Sequence, residues 1–249
     1  MKAILILYKQ YMKDLICNIS WFINAFILPV VLIFIFSIIG KSSFGGLITS
    51  YDYYTFSILV YAGFSTSLIV SACLISKDEK DIIKRVVKAD INVEKVLVSK
   101  ILSTVSYTVF FHWIILLFMA LLFGVKLGSN FYEIILVLML LLVFEFFSAC
   151  LGTLCCCFFK DENIVNQLLS TIAIVFSLLG GMFFKVSSAG KVLLYASMFS
   201  PMRWILKSIF SIIYDENMLF TLLFGLGMIV IGVICFLISV KLFKKEVFQ

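Results

Sequence analysis

The apolar positions of this chain fall into long, nearly unbroken runs separated by short polar breaks, and only the first run is amphipathic. Between residues 3 and 16, Ile4, Leu5, Tyr8, Met12, Leu15 and Ile16 recur at helical spacing, with Lys2, Lys9 and Lys13 on the other side. Such a helix carries one apolar stripe and suits the boundary between water and lipid. Asn18 and Ser20 then offer capping oxygens for a run at 21–39, which has Pro29 in its middle and Gly40-Lys41-Ser42 at its exit. Proline removes a backbone hydrogen bond and crowds the preceding turn, so Pro29 predicts a kink. Further runs at 54–75, 101–123, 133–159, 164–184 and 218–240 predict five more helices, each near the ~20 residues that a bilayer requires.

Two segments depart from this pattern. The stretch 76–100 holds seven of the 20 basic residues. In it Ile82, Ile83, Val86 and Val87 gather on one helical face, Asp81 and Arg85 can pair one turn apart, and Lys84 and Lys88 line the polar side. An amphipathic helix parallel to the membrane is expected. Asp90 or Asn92 can then cap a second helix through Val93, Val96 and Leu97 that leads into the third span at Lys100. The stretch 185–217 is too polar for a seventh span but contains apolar pieces at 192–199 and 204–213. Short helices that re-enter or cover the outer leaflet are expected there.

Composition sharpens this picture. At 63% apolar and a mean hydropathy of +1.17, the chain cannot be an ordinary water-soluble globule. Six spans leave no stretch long enough for a typical ~100-residue soluble domain. The expected fold class is therefore an all-α integral membrane protein, a single domain over 1–249 with an interfacial helix at 1–20, a loop at 76–100 and a re-entrant segment at 185–217. Lysines at 2, 9 and 13 without a small-residue cleavage site argue against a removable signal peptide. The formal charge of +6 bears on topology rather than nucleic acid. With the N-terminus inside, fourteen basic residues lie inside and six outside, which predicts cytoplasmic termini.

The chemistry-bearing residues are few. Seven scattered cysteines and one histidine make neither a disulfide framework nor a metal cluster, so the cysteines are expected to stay reduced. Neighbours in Cys155-Cys156-Cys157 point about 100° apart on a helix and cannot converge on one ion, so they read as small apolar filler. Asn18-Ile19-Ser20 matches a glycosylation sequon but reads as a helix cap. A phosphate-cradling loop would need glycine where Ile35 stands, five residues before Gly40-Lys41-Ser42, so those three read as a helix end. His112 and Glu145 are ionisable residues within spans, and each reads either as functional or as a satisfied interhelical contact. The basic loop fits either lipid headgroups or a soluble partner.

The loop Glu79, Arg85-Val86-Val87, Asp90 and Ser99-Lys100 resembles that of the type 2 ATP-binding-cassette export permeases. In that family an acidic residue, an arginine with two aliphatics, a proline and a Gly-Lys pair occur in this order. Asp90 here takes the place of the proline and Ser99 that of the glycine. Gly180-Gly181-Met182-Phe183-Phe184 and Phe199-Ser200-Pro201-Met202-Arg203-Trp204 also resemble the family's pattern after the fifth span, with Lys185 in place of a proline. The resemblance implies six spans, a coupling helix carrying Glu79, Lys84, Arg85, Lys88 and Asp90, and outer-gate positions Gly180, Gly181, Pro201 and Trp204. It further implies a dimer with a second copy or a related permease. Two copies of a cytoplasmic ATPase would hold ATP and magnesium, leaving this chain without a cofactor or a catalytic site of its own. The substrate path would lie between protomers, with Asn24, Thr66, Glu145 and Ser177 as polar candidates and a drug, peptide or lipid as cargo, exported across a bacterial plasma membrane. A membrane immunity or sensor protein that sequesters a peptide or lipid is the alternative, with a secondary transporter third, since no internal repeat is evident.

Overall fold

The computed structural model describes residues 2–44, 46–88, 92–183, 191–214 and 218–247, and all regular structure among them is helical. An N-terminal helix α1 (Lys2–Cys17) leads into a first span built from α2 (Ile19–Phe22), a π turn (Ile23–Ile27) and α3 (Leu28–Ile39). Then come α4 (Ser50–Ile75), α5 (Lys77–Lys88), α6 (Val93–Phe123), α7 (Phe131–Phe159) and α8 (Glu162–Gly180). Two shorter helices, α9 (Lys191–Ser197) and α10 (Pro201–Tyr214), precede α11 (Met218–Val247). Six of these segments are long and apolar enough to cross a bilayer: Ile19–Ser42, α4, α6, α7, α8 and Phe220–Phe243 within α11.

The second span is the axis of the bundle. In its most apolar window 72% of residues are buried, against 22% in the first span and 28% in the fifth and sixth. Helix α4 packs on α7, α6, α3 and α8, and small residues allow the close approach. A Cβ at Gly152 of α7 would run into the backbone of Ser67 in α4, and one at Gly63 of α4 would press on Phe144 and Glu145 at 3.3 Å. The outward faces of the first, fifth and sixth spans remain apolar and exposed, as lipid-facing surface requires.

Capping fixes where helices begin. Thr49 and Asp52 form a reciprocal box at the start of α4, and the second Asp52 oxygen accepts the Lys126 N–H at 3.0 Å, joining two loops at one end of the bundle. Asn130 and Glu133 form the same box for α7, and Asp161 caps α8. Asn18 caps the first span as expected, its Oδ1 accepting the Ser20 N–H at 3.0 Å.

At Pro29, where a kink is expected, a π turn (Ile23–Ile27) runs directly into the first turn of α3 that holds the proline, a local change of helical winding of the kind that accompanies kinks. Other expectations need correction. The fifth span stops at Gly180 because Gly181 takes a left-handed conformation, φ 76°. Phe184, to which that span was expected to extend, and Lys185 lie outside the described residues. Asn92 occupies the cap position of α6 but makes no side-chain cap bond, and α6 runs unbroken into the third span. In α1 the inward face is Tyr11 and Leu15, which pack toward α6, while Leu5 and Ile16 of the expected apolar stripe are exposed.

Candidate functional site

The junction of α1, α4, α5 and α6 centres on one buried cation. Helix α4 ends at Ser76, whose extended ψ of 151° breaks the helical path, and α5 restarts at Lys77. Its sequence, Lys-Asp-Glu-Lys-Asp-Ile-Ile-Lys-Arg-Val-Val-Lys, leaves a narrow apolar face. Ile83 is buried and Val86 half-buried, but Ile82 points outward, so the inward stripe is thinner than the sequence suggested. Arg85 is exposed. Lys80 donates to the carbonyl of Lys160 at 2.8 Å, so α5 also reaches the turn between α7 and α8.

Lys100, only 1% exposed, lies under this helix. Its ammonium donates to Glu79 Oε2 at 2.6 Å and to the Cys73 carbonyl, and sits 4.2 Å from the centroid of the Tyr11 ring. An ammonium has three N–H groups, and a carboxylate, a carbonyl and an aromatic face can take all three. Burying a lysine without such partners would be prohibitive. The contact therefore forces α5, the end of α4, the start of α6 and α1 to meet at one point. Ser99 supports it, with its Oγ 3.2 Å from the Ile4 carbonyl. Burial, reinforced by nearby Glu79 and Asp14, raises the Tyr11 phenol above its ordinary pKa, so the ring stays neutral beside the ammonium.

Of the predicted coupling residues, Glu79 is thus in the junction and Arg85 on its outer surface. The side chains of Lys84 and Lys88, and all of Asp90, lie outside the described residues. The sequence marks Lys100 as the entry to the third span and as half of a Ser-Lys pair but not as a site, and it does not reveal Tyr11 or the Cys73 carbonyl as partners. A lysine at the mouth of an apolar span, 21 residues after an acid, was the available signal.

The other predicted positions separate. Thr66 and Glu145 are both buried between α4, α6 and α7, joined through Thr108 with His112. Asn24 is exposed and donates to the Ser20 carbonyl of its own helix at 2.9 Å, while Ser177 is buried and donates to the Ile174 carbonyl at 2.8 Å. At the end opposite α5, the Gly181 carbonyl accepts the Tyr53 hydroxyl at 2.6 Å, and a Cβ at Gly180 would press on Ser200 and Arg203. Pro201 opens α10, and Trp204 Nε1 donates to the Met198 carbonyl at 2.8 Å, closing the turn from α9. The four gate candidates therefore cluster where α8 meets α10. Cys156 and Cys157 fill helix seams, their sulfurs facing the carbonyls of Ser71 at 3.9 Å and Ser239 at 3.6 Å.

No curated protein matches the chain. The family model described as ABC-2 type transporter matches residues 4–214, from α1 through α10 and thus through the junction, the buried cluster and the gate positions. By that match and its six apolar spans, the chain is a multi-pass membrane protein that belongs to the ABC-2 type transporter family, whose permease domains carry no nucleotide-binding domain of their own.

Proposed function

We propose that this chain is the membrane-spanning permease subunit of an ATP-driven exporter, powered by a separate cytoplasmic ATPase. The observation that carries the reading is the Lys100 junction. Helix α5, with an exposed arginine, is tied through Glu79 to the first turns of the third span, so a push on α5 reaches α6 directly. In this reading α5 seats in a groove of the ATPase, two ATPase copies hold ATP and magnesium, and two permease chains, identical or related, enclose the path. Both termini face the cytoplasm of a bacterial cell, as the basic-residue bias supports. An abundance of phenylalanine, 27 residues, suits an amphipathic cargo such as a drug, peptide or lipid.

The test is to purify the tagged protein gently from its native cells, identify what accompanies it by mass spectrometry, and assay ATP hydrolysis. A stoichiometric soluble ATPase is expected, and Arg85→Glu should weaken its retention while leaving insertion intact. A clean preparation lacking any ATPase would turn the reading toward a sequestering membrane protein.

A further inference from the structure

Helix α1 spends one face on the protein and leaves the other bare. On the inward side Leu15 joins Ile69 of α4 and Tyr107 of α6, and the Tyr11 ring faces the Lys100 ammonium. The Ile4 carbonyl stands 3.2 Å from the Ser99 hydroxyl, so α1 lies along the first turns of the third span. Only Asn18 separates its last residue, Cys17, from Ile19, where the first span begins. Both ties keep α1 at the level where the apolar spans start.

The outward face carries Lys2, Lys9 and Lys13 together with Leu5, Ile6 and Ile16, all of them exposed. Lys9 and Lys13 stand one turn apart on the same side. The only acid in α1 is Asp14, which accepts from Gln10 at 3.3 Å. At 3.6 residues per turn Asp14 points about 100–140° away from the three lysines and leaves their charge unopposed. Bare aliphatic side chains suit water badly, and three ammonium groups suit hydrocarbon worse. The mixture fits the boundary between them, where aliphatic groups enter the acyl layer and lysine stems carry their charges up to the phosphates.

We propose that this face binds anionic phospholipid, with Lys9 and Lys13 on the headgroup phosphates and Leu5 and Ile16 in the acyl layer, and that lipid held there seats α1 on the Lys100 junction. Charge selects the occupant. Each lysine near an anionic surface contributes about fivefold in affinity, whereas a zwitterionic headgroup has no net charge to match. Geometry carries the effect inward. Residues two apart on a helix project to nearly opposite sides, so Lys9 backs Tyr11 and Lys13 backs Leu15. Holding the lysines at the headgroups therefore fixes the depth at which the Tyr11 ring meets Lys100. This site does not require the ATPase proposed above, and its test contains none.

The full-length protein is reconstituted in nanodiscs of phosphatidylcholine alone and of phosphatidylcholine mixed with phosphatidylglycerol, and hydrogen exchange is followed over residues 2–17. Phosphatidylglycerol should slow this exchange at least about fivefold, the contribution of one lysine, and high salt should reverse the slowing. Lys9→Gln/Lys13→Gln should lose the response, while Lys9→Arg/Lys13→Arg should keep it, as a site that reads charge requires. Both positions are exposed, and unchanged exchange over α4 and α7 checks that the variants fold. Spin-labelled phosphatidylglycerol should also associate with the wild type more strongly than with the glutamine variant. Exchange over residues 2–17 that is indifferent to lipid charge would overturn the proposal. So would a response of equal size in Lys9→Gln/Lys13→Gln, which would place the lipid elsewhere on the chain.

Discussion

Helix α6 carries two contacts to a carboxyl group of nearly equal length, Lys100–Glu79 at 2.6 Å and His112–Glu145 at 2.7 Å, yet their surroundings differ. Twelve residues separate Lys100 from His112, about 18 Å along the helix at 1.5 Å per residue. At Lys100 the carboxylate belongs to a short amphipathic helix and is 22% exposed, so water can take over when the contact opens. At His112 both partners are sealed within the spans, their side chains only 2% and 1% exposed. The lesson is that similar geometry serves opposite ends. A contact at the bundle's edge joins a short surface helix to the spans, whereas one in its centre ties the spans to one another.

The sharpest way to break the comparison is to remove one partner of the central pair. His112→Leu should destabilise the protein by about 3–5 kcal/mol, the cost of stranding a buried ionisable partner. The retained folded fraction on heating in nanodiscs measures this. Next, Gly152→Ala should cost about 1–3 kcal/mol, since the added methyl meets the Ser67 backbone and must push α7 from α4. The same heating assay applies, and crosslinks between the two helices should weaken.

The edge contact should respond more mildly. Glu79→Gln should cost only about 1–2 kcal/mol, because a neutral amide still meets the Lys100 ammonium and the site is partly wetted. Faster hydrogen exchange over residues 77–88, with α4 and α7 unchanged, would locate the effect in α5. Smallest of all, Arg85→Glu should leave stability within about 0.5 kcal/mol, as an exposed substitution does. Its consequence is confined to partner binding. A large loss of stability in that variant would show that the two regions are not separable.

The spans were legible in the sequence because lipid demands an apolar run of fixed length, and no packing detail can change that demand. Their ends were less so. Gly181 terminates α8 by backbone conformation, and the π turn before Pro29 depends on a three-dimensional compromise between strain and continuity. For the candidate sites, Glu79 and Arg85 stood out by charge within a periodic loop, and His112 and Glu145 by being ionisable inside spans. Their pairing could not be read, since residues 33 apart meet only once α6 and α7 are packed. Lys100 was overlooked as a site for a related reason. Its significance lies in what surrounds it, and Tyr11, Cys73 and Glu79 come from three separate helices.

In the proposed function, force enters through α5 and passes to the third span by way of Lys100. The rate of ATP hydrolysis by the complex with the proposed ATPase, compared among wild type, Glu79→Gln and Arg85→Glu in the same nanodiscs, tests this. Arg85→Glu should lower the permease-dependent rate by about tenfold, equivalent to about 1.4 kcal/mol in the barrier, with Glu79→Gln intermediate and both variants folded. Equal rates in all three would contradict it.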